Sequence, residues 1–337
     1  MLWLHRYNRL LASASLILIV AGGFVTSTGS GLAVPDWPNT YGYFMFSFPP
    51  SKMVGGIFYE HSHRLIASIV GIMTIGLAVW LSRVEPRPWV RRLGWLALTA
   101  IIAQGLLGGM TVLFLLPTPV SVSHAGLAHL FFALVVSIAV FTSPDWINRY
   151  GRNDATTETI SADQPLHSLA VALPAVIYIQ ILVGATMRHT GSGLAIPDFP
   201  LAFGHVFPPM WSTAIIIHFT HRVGAVIVTL MVAAVAKRVL ERHRTRGEIV
   251  RPALLLLAIM AVQLTLGAWT IWSERQVTIN TAHVATGALL LGTSIVLGLR
   301  VYRNHFANAT AHHALPEEDS SLDTAELARQ GSRGASV

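Results

Sequence analysis

Eight apolar segments recur along this chain, and they constrain its fold more than any other feature. Hydrophobic residues make up 53% of the sequence and charged residues only 12%. A helix needs about 20 apolar residues to cross a hydrocarbon core of about 30 Å, and in lipid only helices and closed barrels satisfy their own backbone groups. The sequence therefore predicts an all-α integral membrane protein. We place its eight transmembrane helices at about 10–27, 58–81, 92–114, 122–142, 168–187, 214–236, 252–272 and 279–300.

A repeat divides these segments into two sets of four. Residues 28–38 read TGSGLAVPDWP and residues 190–200 read TGSGLAIPDFP, so nine of the eleven positions are identical. Because each unit has an even number of spans, both copies keep the same orientation. The sequence thus predicts two parallel four-helix-bundle repeats related by a pseudo-two-fold axis along the membrane normal. Further pairs recur at nearly the same offset: His63-Arg64 with His221-Arg222, Gln104 with Gln263, and His124 with His283.

Polar stretches mark the predicted boundaries. We assign residues 1–143 to the N-terminal repeat, 144–167 to a cytoplasmic linker and 168–303 to the C-terminal repeat. Residues 304–337 are rich in Ala, Glu, Asp and Ser and lack apolar periodicity. Such a composition cannot bury a core, so it predicts a disordered cytoplasmic tail.

The placement of basic residues predicts the orientation. Of the 23 Lys and Arg residues, 18 lie near the N-terminus, in the loops after spans 2, 4 and 6, or from Arg300 onward. Such residues accumulate on the cytoplasmic side, which predicts cytoplasmic termini and outward-facing TGSGLA loops. The net charge of +7 comes from these loops and not from a basic soluble domain, so we predict no nucleic-acid partner. The chain has no cysteine, which excludes disulfides and thiolate ligands.

Four histidines carry the chemical signal. His63 and His124 lie early in spans 2 and 4, and His221 and His283 lie early in spans 6 and 8. Ionisable groups inside membrane helices are expensive and usually functional. Two imidazoles at one depth can bind a haem iron from both faces, and a haem fits the core of a four-helix bundle. The pattern predicts one haem site per half, toward the outer side; zinc would lack ligands.

Two assignments stay open at this stage. His61 and His129 lie close enough to compete as axial ligands, although the position equivalent to His129 holds Ala288. Arg64 and Arg222 directly follow two of the ligand candidates. Their guanidinium groups can pair with haem propionates, or they can extend to phospholipid headgroups.

The two copies differ three residues before the first ligand histidine. The first copy has Glu60 there, and the second has His218. A carboxylate beside only one haem predicts one reactive site and one electron-transfer site. It could accept protons or stabilise positive charge on an oxidised substrate. The alternative is an outer-surface carboxylate paired with Arg64.

Three features together resemble the haem A synthase family, membrane enzymes that convert haem O to haem A. They are the E-x-x-H-R motif formed by Glu60, His63 and Arg64, the repeated TGSGLA-x-PD loops, and the four histidines near span starts. The resemblance covers about residues 8–300. Some family members carry a cysteine pair in an outer loop, and this chain lacks it.

The resemblance implies a role for each half. It implies that His221 and His283 hold haem b as a prosthetic group. It also implies that His63 and His124 bind the haem O substrate and that Glu60 is the catalytic carboxylate. The implied reaction oxidises the C8 methyl group of haem O to a formyl group, in a bacterial inner membrane, for cytochrome oxidase assembly. A haem O synthase and oxidase assembly factors are the implied partners.

Two other classes explain part of the pattern. A di-haem b electron carrier would use all four histidines but would give Glu60 no role. A transporter built from parallel repeats would place polar groups along a path through the membrane, whereas here they cluster toward one side. We predict the enzyme.

Overall fold

The computed structural model describes residues 2–148 and 163–303, and these ranges contain eight helices long and apolar enough to cross a membrane. The predicted all-α membrane fold is therefore confirmed. The predicted tail and most of the predicted linker lie outside the described residues. The long helices are α1 (Leu2–Ser27), α2 (Gly55–Val84), α3 (Pro88–Leu113), α4 (Thr118–Phe141), α5 (Gln164–His189), α6 (Thr213–Arg242), α7 (Gly247–Trp272) and α8 (Val277–Val301). Shorter helical turns lie at Met45–Ser47, Pro50–Lys52, Pro144–Asn148 and Ser192–Leu194.

The helix bounds repeat between the halves. Helices α5, α6, α7 and α8 begin 162, 158, 159 and 159 residues after α1, α2, α3 and α4. Most helices are longer than predicted; α2, for example, extends three residues beyond the apolar segment at each end. Hydropathy marks the part of a helix in contact with hydrocarbon, whereas backbone hydrogen bonding continues into its polar ends.

The halves meet through four central helices. In the first half α1 packs on α4, and in the second half α5 packs on α8. Between the halves α1 contacts α8, α4 contacts α5, and α4 contacts α8. Exchanging the halves converts the first of these contacts into the second and leaves the third unchanged. The contact pattern thus agrees with the predicted pseudo-two-fold relation.

Each half has its own apolar core, and both cores lie at the same end. We call the end with the long loops L1 (residues 28–54) and L2 (residues 190–212) the loop end. The largest clusters occupy the opposite end, where α1 and α5 begin and α2 and α6 finish. The bundles are closed by apolar packing away from the loops, and the histidines lie nearer the loop end. Core members include Leu11, Leu77, Val90 and Ile138 in the first half and Leu173, Val235, Ile249 and Leu297 in the second.

Candidate functional site

The arginine of each repeat holds a loop over the helix bundle. In the first half Arg64 donates hydrogen bonds of 2.7, 2.9 and 2.8 Å to the main-chain carbonyls of Asp36, Asn39 and Val34. Guanidinium groups suit this role because they present several donors in a fixed fork. Arg64 is 8% exposed. Its charge therefore lies beneath L1.

Arg222 repeats the arrangement under L2. It donates to the carbonyls of Ile196, Asp198 and Leu201 at 3.2, 2.6 and 2.7 Å, which are the positions equivalent to those bound by Arg64. Sequence reasoning missed this loop-holding role for both arginines. The Nε of Arg222 is buried and lacks a partner among the described residues, so one donor is available to a ligand.

An aspartate closes a turn in each loop. The carboxylate of Asp36 accepts the N–H groups of Tyr41 and Gly42 at 2.7 and 2.8 Å. Asp198 accepts from Phe203 and Gly204 at 2.7 and 2.8 Å. The two glycines have φ values of 77° and 78°, a conformation that glycine adopts without strain. Both loops are therefore ordered turns built from the repeated PD motif.

These bonds lower the pKa of both carboxyl groups. Partial burial raises the pKa of Asp36, but the two N–H donors and the nearby Arg64 outweigh it, and the net shift is downward. The N–H groups of Gly204 and Phe203 lower the pKa of Asp198. Hydrogen bonds to the charged form favour that form, so the turns retain their geometry at neutral pH.

Glu60 and His218 occupy equivalent places and receive the equivalent loop N–H group. Oε2 of Glu60 accepts from the N–H of Val34 at 2.8 Å, and Nδ1 of His218 accepts from the N–H of Ile196 at 3.2 Å. Oε1 of Glu60 also forms a buried ion pair with Arg64 at 2.5 Å. The carboxylate is thus a feature of the first half, and it lies one helical turn before His63.

All four predicted ligand histidines face a glycine on the preceding helix. A methyl group added to Gly22 would lie 3.1 Å from Cε1 of His63, and one added to Gly184 would lie 2.9 Å from Cε1 of His221. Any larger residue at these positions would displace the imidazole. The same contact recurs for Gly108 with His124 and for Gly267 with His283, at 3.1 and 3.2 Å.

The second-half histidines have the spacing of an iron-binding pair. The ring centres of His221 and His283 are 6.4 Å apart, and their planes are inclined by 67°. An iron held between two imidazoles, with metal–nitrogen bonds of about 2 Å on each side, separates the ring centres by about 6 Å. The residues therefore fit a haem iron.

Unsatisfied ring nitrogens point to the same ligand. Nδ1 atoms of His63, His124 and His283 are buried and have no hydrogen-bond partner among the described residues. Such atoms are rare in folded proteins unless a ligand or ion completes them. The described residues hold no group of three or more His, Asp or Glu side chains able to bind a bare metal ion. A porphyrin, which supplies four nitrogens itself, needs only two protein ligands.

Glutamine side chains contact three of the histidines. The amide nitrogen of Gln104 donates to the carbonyl of His124 at 3.0 Å, and that of Gln263 lies 3.4 Å from Nε2 of His283. In the second half Gln180 on α5 also contacts His221. Sequence reasoning had left ligand contact and packing equally open for Gln104 and Gln263, and it overlooked Gln180.

The two competing histidines have structural partners of their own. The Nδ1 atom of His61 lies 3.0 Å from the hydroxyl of Thr40 in L1, and its ring packs on Phe48. The Nδ1 atom of His129 lies 2.8 Å from the carbonyl of Ala125, one turn earlier in the same helix. These contacts favour His63 and His124 as the ligands of the first half, which stays a prediction.

The sequence was compared with known proteins. The model of the COX15-CtaA family, described as cytochrome oxidase assembly protein, matches residues 5–295. The chain belongs to the COX15-CtaA family. Haem A synthase from Symbiobacterium thermophilum is 28% identical over 258 residues, covering 75% of this chain and 80% of that protein. Haem A synthase from Shouchella clausii is 30% identical over 230 residues, 68% of this chain and 73% of its own length. That from Lysinibacillus sphaericus is 26% identical over 313 residues, 90% and 97% of the two chains.

The family match confirms the resemblance to haem A synthases that the motifs predicted. It extends over all eight membrane helices of this COX15-CtaA protein and ends inside α8. Two contacts were missed from the sequence although the repeat offset could have revealed them. Gly22 and Gly184 are 162 residues apart, and Gln180 stands at the same offset from Leu18.

Proposed function

We propose that this protein is a haem A synthase that oxidises the C8 methyl group of haem O to a formyl group. Its membership of the COX15-CtaA family and its similarity to proteins named haem A synthase support this activity. The observation that carries the proposal is the single buried carboxylate beside one histidine pair, with a histidine at the equivalent place in the other half. A plain electron carrier needs no such difference.

The halves take different haems. His221 and His283 hold haem b as a prosthetic group, and their ring spacing of 6.4 Å supports this assignment. His63 and His124 bind haem O as the substrate. When bound, the haem b supplies one-electron redox chemistry.

Glu60 acts on the substrate side. Its carboxylate is held at Oε1 by Arg64 and at Oε2 by the N–H of Val34, so both oxygens have a fixed position one turn from His63. From there it accepts a proton released during oxidation or stabilises positive charge that develops on the substrate. L1 covers this carboxylate and limits the access of water.

The arginines and the membrane complete the site. Arg222 has a buried Nε free for a haem propionate, and Arg64 lies at the equivalent position of the substrate half. The protein lies in the bacterial inner membrane with both termini in the cytoplasm, which places the haem sites toward the outer side. Haem O arrives from a haem O synthase, and the product passes to cytochrome oxidase assembly factors.

Expression with a haem O synthase tests the function. The protein is purified in detergent, and its extracted haems are identified by chromatography and mass. We expect haem b together with haem O, haem A or a hydroxylated intermediate. Glu60→Gln should keep haem b and lose haem A, whereas His218→Gln, the matched change in the other half, should still produce it. Haem b alone in the unmodified protein would favour the electron carrier, and normal haem A from Glu60→Gln would remove the catalytic role.

A further inference from the structure

Gln180 contacts His221 in two ways. Its amide nitrogen donates to the main-chain carbonyl of His221 at 2.7 Å and lies 3.0 Å from Nδ1 of the same ring. Gly184, one turn further along α5, faces Cε1 of that ring. One helix therefore fixes the imidazole on two edges. The ring nitrogen without this contact is Nε2, which remains for a ligand.

The first half lacks this arrangement. At the position equivalent to Gln180, 162 residues earlier, stands Leu18, which offers no hydrogen bond. Nδ1 of His63 is buried without a partner among the described residues. The two halves thus treat equivalent histidines differently.

A second exchange accompanies the first. Gly224 on α6 makes room for Gln180, because a methyl group added there would collide with the amide oxygen of Gln180. The equivalent of Gly224 in α2, 158 residues earlier, is Ile66. A polar side chain with a glycine in one half therefore corresponds to two apolar side chains in the other. Packing alone would not require the small residue beside a glutamine.

We propose that Gln180 is a positioning residue that retains the haem of the second half by holding the ring of His221. A hydrogen bond to one imidazole nitrogen fixes the ring and selects the other nitrogen as the metal ligand. With Leu18 and Ile66 in these places, His63 binds its haem without that support. A weakly held ligand suits a haem that must enter as substrate and leave as product. This inference rests on the proposed assignment of haem b and haem O to the two halves.

Exchange kinetics test the inference on the full chain, expressed with a haem O synthase and purified in detergent. The variants are Gln180→Leu, which copies the first half, and the reciprocal double variant Leu18→Gln with Ile66→Gly. The readouts are haem b per protein, the rate of haem loss to excess apomyoglobin, and the electron paramagnetic resonance spectrum of the ferric low-spin haem. None of these depends on turnover.

We expect Gln180→Leu to release haem b about tenfold faster or more, since the loss of such outer partners typically costs about 10- to 100-fold in affinity. Its spectrum should shift as the ring orientation relaxes. The double variant should release haem O or haem A more slowly than the unmodified protein.

Two results would overturn the inference. One is haem b loss from Gln180→Leu at the unmodified rate with an unchanged spectrum. If Gln180→Leu does not fold, an unchanged release of haem O and haem A from the double variant has the same force. A different result would refute the proposed function instead: His221→Ala that keeps its haem b would show that the second half does not hold this group.

Discussion

The two halves share their scaffold and differ beside the histidines. Helix bounds, the turns closed by Asp36 and Asp198, and the three loop carbonyls bound by each arginine recur position by position. The chemical groups next to His63 and His221 do not. Glu60 corresponds to a histidine, and the partner of His221 corresponds to a leucine. Specialisation after duplication is therefore concentrated on groups that touch or adjoin the ligand candidates.

The largest expected effect comes from removing a ligand. His221→Ala or His283→Ala should lower haem b per purified protein at least about tenfold, because even the loss of an outer partner costs about that much. His63→Ala should keep the haem b content of the unmodified protein. A pyridine haemochrome assay on the purified proteins measures all three. Full haem b in His221→Ala and depletion in His63→Ala would reverse the assignment of the halves.

A steric change in the glycine contacts should separate the halves less completely. Gly184→Val brings side-chain atoms against His221, since even an added methyl group would lie 2.9 Å from its Cε1, and Gly22→Val does the same to His63. Overpacking costs about 1–3 kcal/mol, and about 1.4 kcal/mol is a tenfold change in binding. We therefore expect Gly184→Val to lower haem b occupancy about tenfold at limiting haem.

The companion variant sharpens the result. Gly22→Val should keep haem b and lower haem A formation in cells that make haem O. Gly71→Val on α2, where an added methyl group meets no neighbour, controls for the substitution itself. Equal haem b loss from the two variants at Gly22 and Gly184 would show that the halves are not independent.

The sequence predicted the class of fold and most of the site for physical reasons. Membrane spans are long and apolar because lipid allows no other solution, and a duplicated motif exposes pairs of equivalent residues. Glu60 was recognisable because it breaks that equivalence. The loop-holding role of Arg64 was not, because main-chain carbonyls carry no residue signature. Gln180 was overlooked because its importance depends on a neighbouring glycine that is distant in sequence.

A smaller effect is expected where the halves are alike. Asp36→Ala and Asp198→Ala each remove two N–H acceptors from a loop turn. We expect similar falls in unfolding temperature, measured by thermal scanning in detergent at neutral pH. Both native pKa values lie below the ordinary value, so the contribution is present above that value and is lost as pH falls through the native pKa. Falls that differ several-fold would show that the two loops are not equivalent supports.

The smallest expected effect lies at the end of the bundle opposite the loops, where only the second half carries a network around Asp163. Its carboxylate caps α5 through the N–H of Leu166, pairs with Arg238 at 2.8 Å and lies 2.9 Å from Nε2 of His243. Burial raises its pKa, but the bonds from Arg238 and His243 outweigh this and lower the pKa from 3.8 to about 2. This network ties the start of α5 to the end of α6, far from the histidines.

Asp163→Asn keeps the capping oxygen and removes the charge, so it isolates the ion pair. We expect a loss of about 1–3 kcal/mol in unfolding free energy at neutral pH, the range for hydrogen bonds to charged groups. The native pKa is depressed, so the contribution is present above pH 3.8 and disappears as pH falls toward about 2. Lys237→Gln, in an exposed pair with Glu241, should change stability less. Haem b content should stay unchanged, because this network stabilises the scaffold and does not touch a ligand; depletion of haem b would contradict that separation.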